Sequence, residues 1–186
     1  IGLTALGGTD TTGIANIAMG LNAMDALTSG ACNIAIGPDA LGAATTGQFN
    51  IALGCGALGA GVLIGCINIA IGLDTGNSLT TGACNVGIGQ NALSASTTGC
   101  QNVAIGLTAM GGAATGLNNV AIGTLVADAL TSGAGNIAMG WNAFGSATDN
   151  NDNIAIVRYA LAVSINDAEC NIAIGFAAMG GAQDVF

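Results

Sequence analysis

The chain contains no lysine and no histidine, its only arginine is Arg158, and charged residues of both signs make up 6% of its 186 positions. Each shortage removes a class of function. Phosphate backbones and anionic membrane surfaces are gripped by clustered basic side chains, so neither nucleic acid nor a charged lipid surface is an expected partner. Without His or Lys, the Ser-His, Cys-His and Ser-Lys pairs that activate a nucleophile cannot be assembled. The sparse charge, beside 52% hydrophobic residues, also excludes a disordered polyelectrolyte.

What remains is apolar, acidic and rich in glycine. Ten acidic residues give a net charge of −9, and the 32 glycines follow no Gly-X-Y period, which excludes collagen. Residues Ile51 to Ile67 run without a polar side chain. Glycines interrupt the run, and Asn50 and Asn68 at its ends keep a register found along the whole chain, so it reads as repeat and not as a membrane span.

That register is set by Asn16, Asn33, Asn50, Asn68, Asn85, Asn102, Asn119, Asn136, Asn153 and Asn171, spaced by 17 residues with two steps of 18. Each unit reads Asn-Ile-Ala-Ile-Gly, two variable residues, Ala-Leu, a small-residue stretch and Thr-Thr-Gly. A fixed period this short, broken by glycine, suits one coil of short strands and tight turns and not a helical hairpin. The expected fold is all-β: a parallel β-solenoid, β-roll or β-helix, of about 10–11 coils forming a single domain over residues 1–186. At about 4.8 Å per coil it is a rod about 50 Å long. Because the chain starts in mid-repeat at Ile1 and ends at Phe186 without a polar cap, it is expected to be a segment of a longer fibre.

Alternation along the short apolar run assigns its faces. Ile17 and Met19, Ile34 and Ile36, and Val103 and Ile105 are expected inside the coil, joined from the opposite wall by the Ala-Leu pairs Ala40-Leu41, Ala92-Leu93 and Ala109-Met110. The intervening Ala18, Ala35, Ala52, Ala70, Ala104, Ala121, Ala138, Ala155 and Ala173 then form an outward stripe of small apolar residues, expected to pack against copies of the same chain. Glycines after the strand, such as Gly106, and in the Thr-Thr-Gly turn, such as Gly116, mark places where a positive φ or a sharp corner is needed. The asparagine column is expected to be a hydrogen-bonded ladder that satisfies turn amides. The Thr45-Thr46, Thr80-Thr81 and Thr97-Thr98 pairs read as turn residues or as a hydroxyl-rich binding stripe. The residues after the strand glycine, such as Leu21-Asn22, Pro38-Asp39 and Trp141-Asn142, read as surface free to differ.

The unit resembles the Asn-x-Ala-Ile-Gly-x-x-Ala-Leu repeats of phage tail fibres and related surface proteins, which often precede an intramolecular chaperone domain of the endosialidase type. It is also similar to the shorter repeats in the heads of trimeric autotransporter adhesins. The resemblance covers essentially the whole chain. It implies a homotrimer projecting from a virion or a cell for attachment, an extracellular setting, and a surface glycan or protein receptor as partner besides the chain itself.

No catalytic, cofactor or metal site is expected. Asp10, Asp25, Asp39, Asp74, Asp128 and Asp184 are scattered, and the calcium-loading nonapeptide and Cys-x-x-Cys are both missing. Asp149, Asp152, Asp167 and Glu169 gather at an aberrant ninth unit, where Val157 replaces the motif glycine ahead of Arg158 and Tyr159. That unit reads as irregular, charge-paired turns or as a binding spot. Cys32, Cys66, Cys84 and Cys170 precede the motif Asn closely, while Cys55 and Cys100 lie elsewhere; Cys66 and Cys84, on neighbouring coils, are either a disulfide or small buried hydrophobes. The function expected is a non-enzymatic structural and adhesive fibre segment, with a self-assembling filament subunit or an ice-binding solenoid using its threonine columns as alternatives. Against ice binding, the threonine column breaks at Gly61-Val62 and Ser164-Ile165.

Overall fold

In the computed structural model, which describes residues 2–8, 12–163 and 169–181, the repeat winds into a stack of like coils. Each Ile-Ala-Ile run forms a three-residue strand: β1 (Ile17–Met19), β2 (Ile34–Ile36), β3 (Ile51–Leu53), β4 (Ile69–Ile71), β5 (Val86–Ile88), β6 (Val103–Ile105), β7 (Val120–Ile122), β8 (Ile137–Met139), β9 (Ile154–Ile156) and β10 (Ile172–Ile174). The ten form one parallel sheet in chain order. Homologous residues pair throughout, as Val103, Ala104 and Ile105 do with Val120, Ala121 and Ile122. The two 18-residue steps cause no slip, since Ile51 still pairs with Ile69 and Ile154 with Ile172. Nine steps at about 4.8 Å make the stack about 43 Å long. The parallel β-solenoid expected from the period is therefore present.

The strand faces are the reverse of the sequence reading. Ala18, Ala35, Ala52, Ala70, Ala104, Ala121, Ala138, Ala155 and Ala173 line the interior, none more than 8% exposed. The large flanking residues face outward, with Ile17 51% and Ile172 66% exposed. Coil width is the cause. The wall opposite the strand carries Met24, Leu41, Leu58, Leu93, Met110 and Phe144, all fully buried, and these leave only a methyl group's space beneath the strand. Gly87 shows the limit: a Cβ there would lie 2.8 Å from Thr75 Cγ2 and 3.5 Å from Leu93 Cδ1. The alanines are core residues, and none of them forms an outward stripe.

In six of the coils the interior is filled by exchange of volume between two buried positions. Leu41 is matched by Ala44, Leu93 by Ser96, Met110 by Ala114 and Phe144 by Ala147, and the order reverses where Gly76 meets Leu79 and Ala127 meets Leu130. Interiors packed to crystal-like density favour such exchange, though Met24 with Leu27 and Leu58 with Leu63 place two large buried side chains in one coil.

Between the strand and the turn the backbone alternates in hand. Asp39 and Leu41 have φ of 55° and 51°, and Phe49, ahead of the next Asn, has 57°; the same three positions repeat in other coils. The alternation sends amides along the rod axis. Asp39 N–H donates to Leu21 O of the preceding coil and Leu41 N–H to Ala57 O of the following one, at 2.8 and 3.0 Å, while Ala40 and Gly42 close local turns onto Gly37 and Asp39. A left-handed residue other than glycine costs about 1–2 kcal/mol, offset here by a coil-to-coil hydrogen bond. The second residue after the strand glycine is therefore held left-handed: Asn22, Asp39, Gly56, Asp74, Asn91 and Asn142, types that tolerate this conformation, occupy it in six coils, and Thr108, Leu125, Tyr159 and Ala177 take it in others.

The two glycine columns have different causes. Gly106 has φ of 134°, a conformation open essentially to glycine alone. Gly116 has no positive φ, but a Cβ on it would collide with the carbonyl of Gly133 and sit 3.2 Å from Asn119 Nδ2.

Candidate functional site

The asparagine column is a closed structural device. Asn85 Oδ1 accepts both the backbone N–H and the Nδ2 of Asn102, at 3.0 and 3.3 Å. Asn102 Nδ2 also donates to Gly116 O at 2.9 Å. Asn102 Oδ1 in turn accepts from Asn119 N and Nδ2 at 2.9 and 3.1 Å. The chain of side-chain bonds starts at Asn16 and reaches Asn171. Each amide in it is spent on neighbouring coils, so the column presents no binding surface. The hydroxyls of Thr28, Thr80 and Thr131 are used in the same way, donating to the carbonyls of Thr45, Thr97 and Thr148 at 3.0, 3.1 and 2.8 Å. The second residues of the pairs, Thr46, Thr81 and Thr98, are exposed.

Of the carboxylates scattered along the sequence, the coil stack brings Asp25, Asp39 and Asp74 to one groove. An open groove of about 430 Å³ runs past Asn22, Asp25, Asp39, Asp74 and Asn77, where Asn22 Nδ2 bonds Asp39 and Asn77 Nδ2 bonds Asp74, each at 2.9 Å. Partial burial holds the Asp128 carboxyl above the ordinary aspartate range, against the lowering effect of the backbone N–H groups of Asp128 and Ala129. Among the described residues no group of three or more His, Cys, Asp or Glu side chains is placed to hold a metal ion, and no helix is long and apolar enough to cross a membrane. Asp10, Asp167, Asp184 and the Ser164-Ile165 break lie outside the described residues.

All six cysteines are free thiols and none is buried. Cys84 N–H donates to Cys66 O at 3.0 Å, but Cys66 and Cys84 form no disulfide. Cys100 precedes Asn102 by two residues as Cys66 precedes Asn68, so these two share a column. They stand at the corner outside the asparagine ladder, where the side chain turns away from the core.

Two surface features remain. The first is the outer face of the sheet, where two columns of Ile, Val, Leu and Met run the length of β1 to β10. Ile17, Met19, Ile36, Ile71, Ile137, Met139, Ile172 and Ile174 are its most exposed members, between 36% and 66%. Together the columns present on the order of 1,000 Å² of aliphatic surface, above the ~300–600 Å² of a typical monomer's largest patch.

The second feature is the ninth unit. Trp141, Arg158 and Phe176 each follow the strand in successive coils, and Tyr159 lies beside them. The Arg158 guanidinium carbon is 4.6 Å from the Trp141 ring centre, 4.9 Å from that of Tyr159 and 5.5 Å from that of Phe176. Among the described residues Arg158 has no ion pair, and Asp167 of the expected charge-paired turns lies outside them. Asp152 stands two residues before β9 and Arg158 two residues after it, so the strand holds them apart. Sequence reading placed Arg158 and Tyr159 together, but the aromatic partners become visible only when the coils are stacked in register.

Compared with protein-family models, with curated proteins and with solved structures, the chain matches none.

Proposed function

We propose that this chain is a shaft segment of an extracellular fibre, of phage tail-fibre or cell-surface adhesin type, without catalytic chemistry, assembled as a homotrimer and serving attachment of a virion or cell to a surface. The observation that carries the reading is the aliphatic outer face of the sheet. A strand face bathed in water normally carries Thr, Lys, Ser or Glu, whereas here large apolar residues occupy both columns at every coil. Shared between two copies, such a face supplies about 500 Å² to each contact, below the ~800 Å² per partner of a standard interface but repeated at three seams, and its elongated, uncharged form fits a bundle of parallel rods better than a compact ligand. The repeat's resemblance to fibre and adhesin repeats points the same way.

The test is native mass by analytical ultracentrifugation, with the double variant Ile105→Glu, Ile122→Glu alongside. The expected result is three times the chain mass for the unaltered protein and the chain mass for the variant, with strand content unchanged. An unaltered protein that sediments as a monomer at tens of micromolar overturns the assembly.

A further inference from the structure

We propose that Trp141, Arg158, Tyr159 and Phe176 form a binding platform for an acidic oligosaccharide, in which pyranose rings lie on the exposed aromatic faces and a sugar carboxylate is held by the Arg158 guanidinium. Three of the chain's six aromatic residues and its only basic one meet at this spot. The rings form a shallow surface: Trp141 and Tyr159 are 5.1 Å apart and tilted by 44°, Tyr159 and Phe176 are 6.2 Å apart and edge-to-face. Phe176 is 67% and Trp141 40% exposed.

The cation decides the ligand's chemistry. Three ring centres within 5.5 Å of its central carbon hold the guanidinium in place, and its N–H donors are offered to an acceptor. In a chain with ten acidic residues none of those described pairs with it. A planar fork of donors fits a carboxylate in two parallel hydrogen bonds. The surrounding negative charge repels a dense polyanion such as a nucleic acid and admits isolated carboxylates on an otherwise neutral, ring-shaped ligand. A uronate-containing glycan has that composition: flat C–H faces for the aromatics and one carboxylate per ring.

The backbone supplies an independent mark. Val157 takes the place of the strand glycine and has φ of 88°, a strained conformation for a β-branched residue. Strain of this kind gathers where a site is held in place against the local preference of the chain, and it lies immediately before Arg158.

The proposal deepens the attachment half of the fibre reading and rests on it. Native mass reports assembly of the shaft and Trp141 fluorescence reports this platform, so the two fail separately. The experiment titrates the whole chain with tetragalacturonate and with its methyl ester, following the emission of Trp141, the only tryptophan, and the heat of binding. The expected result is a saturable change with the acid, binding weaker by about tenfold or more for the ester, and loss of that preference in Arg158→Gln with an unchanged far-ultraviolet spectrum. Absence of any signal up to about 10 mM, weaker than a −3 kcal/mol interaction, overturns it. Equal binding of acid and ester, or tighter binding of a short oligothymidylate than of the uronate, overturns it as well.

Discussion

Gly87 is the one strand-centre position without a methyl group, and Thr75 in the coil beneath it is the reason. The Cβ added by Gly87→Ala would lie 2.8 Å from Thr75 Cγ2, about an ångström inside the ~3.5–4.0 Å at which carbon atoms rest. A β-branched residue can coexist with a strand alanine, as Val126 does in the coil below Ala138. Thr75, however, has its rotamer held by the hydrogen bond from its hydroxyl to Gly89 O at 2.5 Å. The new methyl therefore forces either the overlap or the loss of that bond, costing about 1–3 kcal/mol. Thr75→Ala alone removes a packed methyl and the same bond, about 1–2 kcal/mol. The double variant restores the Ala-over-Ala arrangement of Ala92 and Ala104 and should recover at least 1 kcal/mol of the summed losses. For a chain of this size each kcal/mol moves the thermal midpoint by about 2–4 °C, so a cycle of four proteins followed by circular dichroism at one concentration resolves the coupling. Effects that add to within about 0.5 kcal/mol would falsify the claim that these two residues exchange volume.

Further predictions concern the ladder, the left-handed positions and one carboxyl. Asn102→Ala leaves Gly116 O and Asn119 N–H without their partners in a buried column and should cost about 2–6 kcal/mol at about 1–3 kcal/mol for each stranded group; Asn102→Asp should do no better, since a carboxylate cannot donate to Gly116 O, and urea unfolding measures both. Val157→Gly should raise stability by about 1–3 kcal/mol while weakening uronate binding in the titration above, whereas a loss of stability would show that Val157 is not strained. Ile67, exposed and β-branched at φ of 61°, should gain about 1–2 kcal/mol on replacement by Gly, read as a higher thermal midpoint. Because burial raises the Asp128 carboxyl above 3.8, its ionisation opposes folding at neutral pH. Asp128→Asn should therefore stabilise at pH 7, with a gain that fades as the pH falls through the raised value and vanishes below the ordinary aspartate range; a gain independent of pH rules the account out.

The period, the parallel stacking and the asparagine ladder were legible because each is a repeated column, and a column of identical residues has few physical explanations. The strand faces were not. Alternation states that Ile105 and Ala104 point apart, but which one faces inward depends on coil width, set by residues such as Leu93 and Met110 half a coil away. The left-handed positions had a visible signal in Asn22, Asp39, Gly56, Asp74 and Asn91, obscured by Thr108, Leu125 and Tyr159 in the same column. Trp141, Arg158 and Phe176 lie 17 and 18 residues apart and look unrelated until register places them side by side.

The exact register across both 17- and 18-residue steps has a consequence for how such a molecule changes size. Every junction between coils joins the same atoms to the same atoms, so removing a whole unit from a run of like coils brings homologous residues together and leaves the ladder and the aliphatic face unbroken. Length then varies in increments of about 4.8 Å at nearly constant stability per coil. Units three to seven can be lost or duplicated on these terms, apart from the linked pair Thr75 and Gly87. The stretch bearing Trp141, Arg158 and Phe176 cannot, because its meaning lies in which coil follows which.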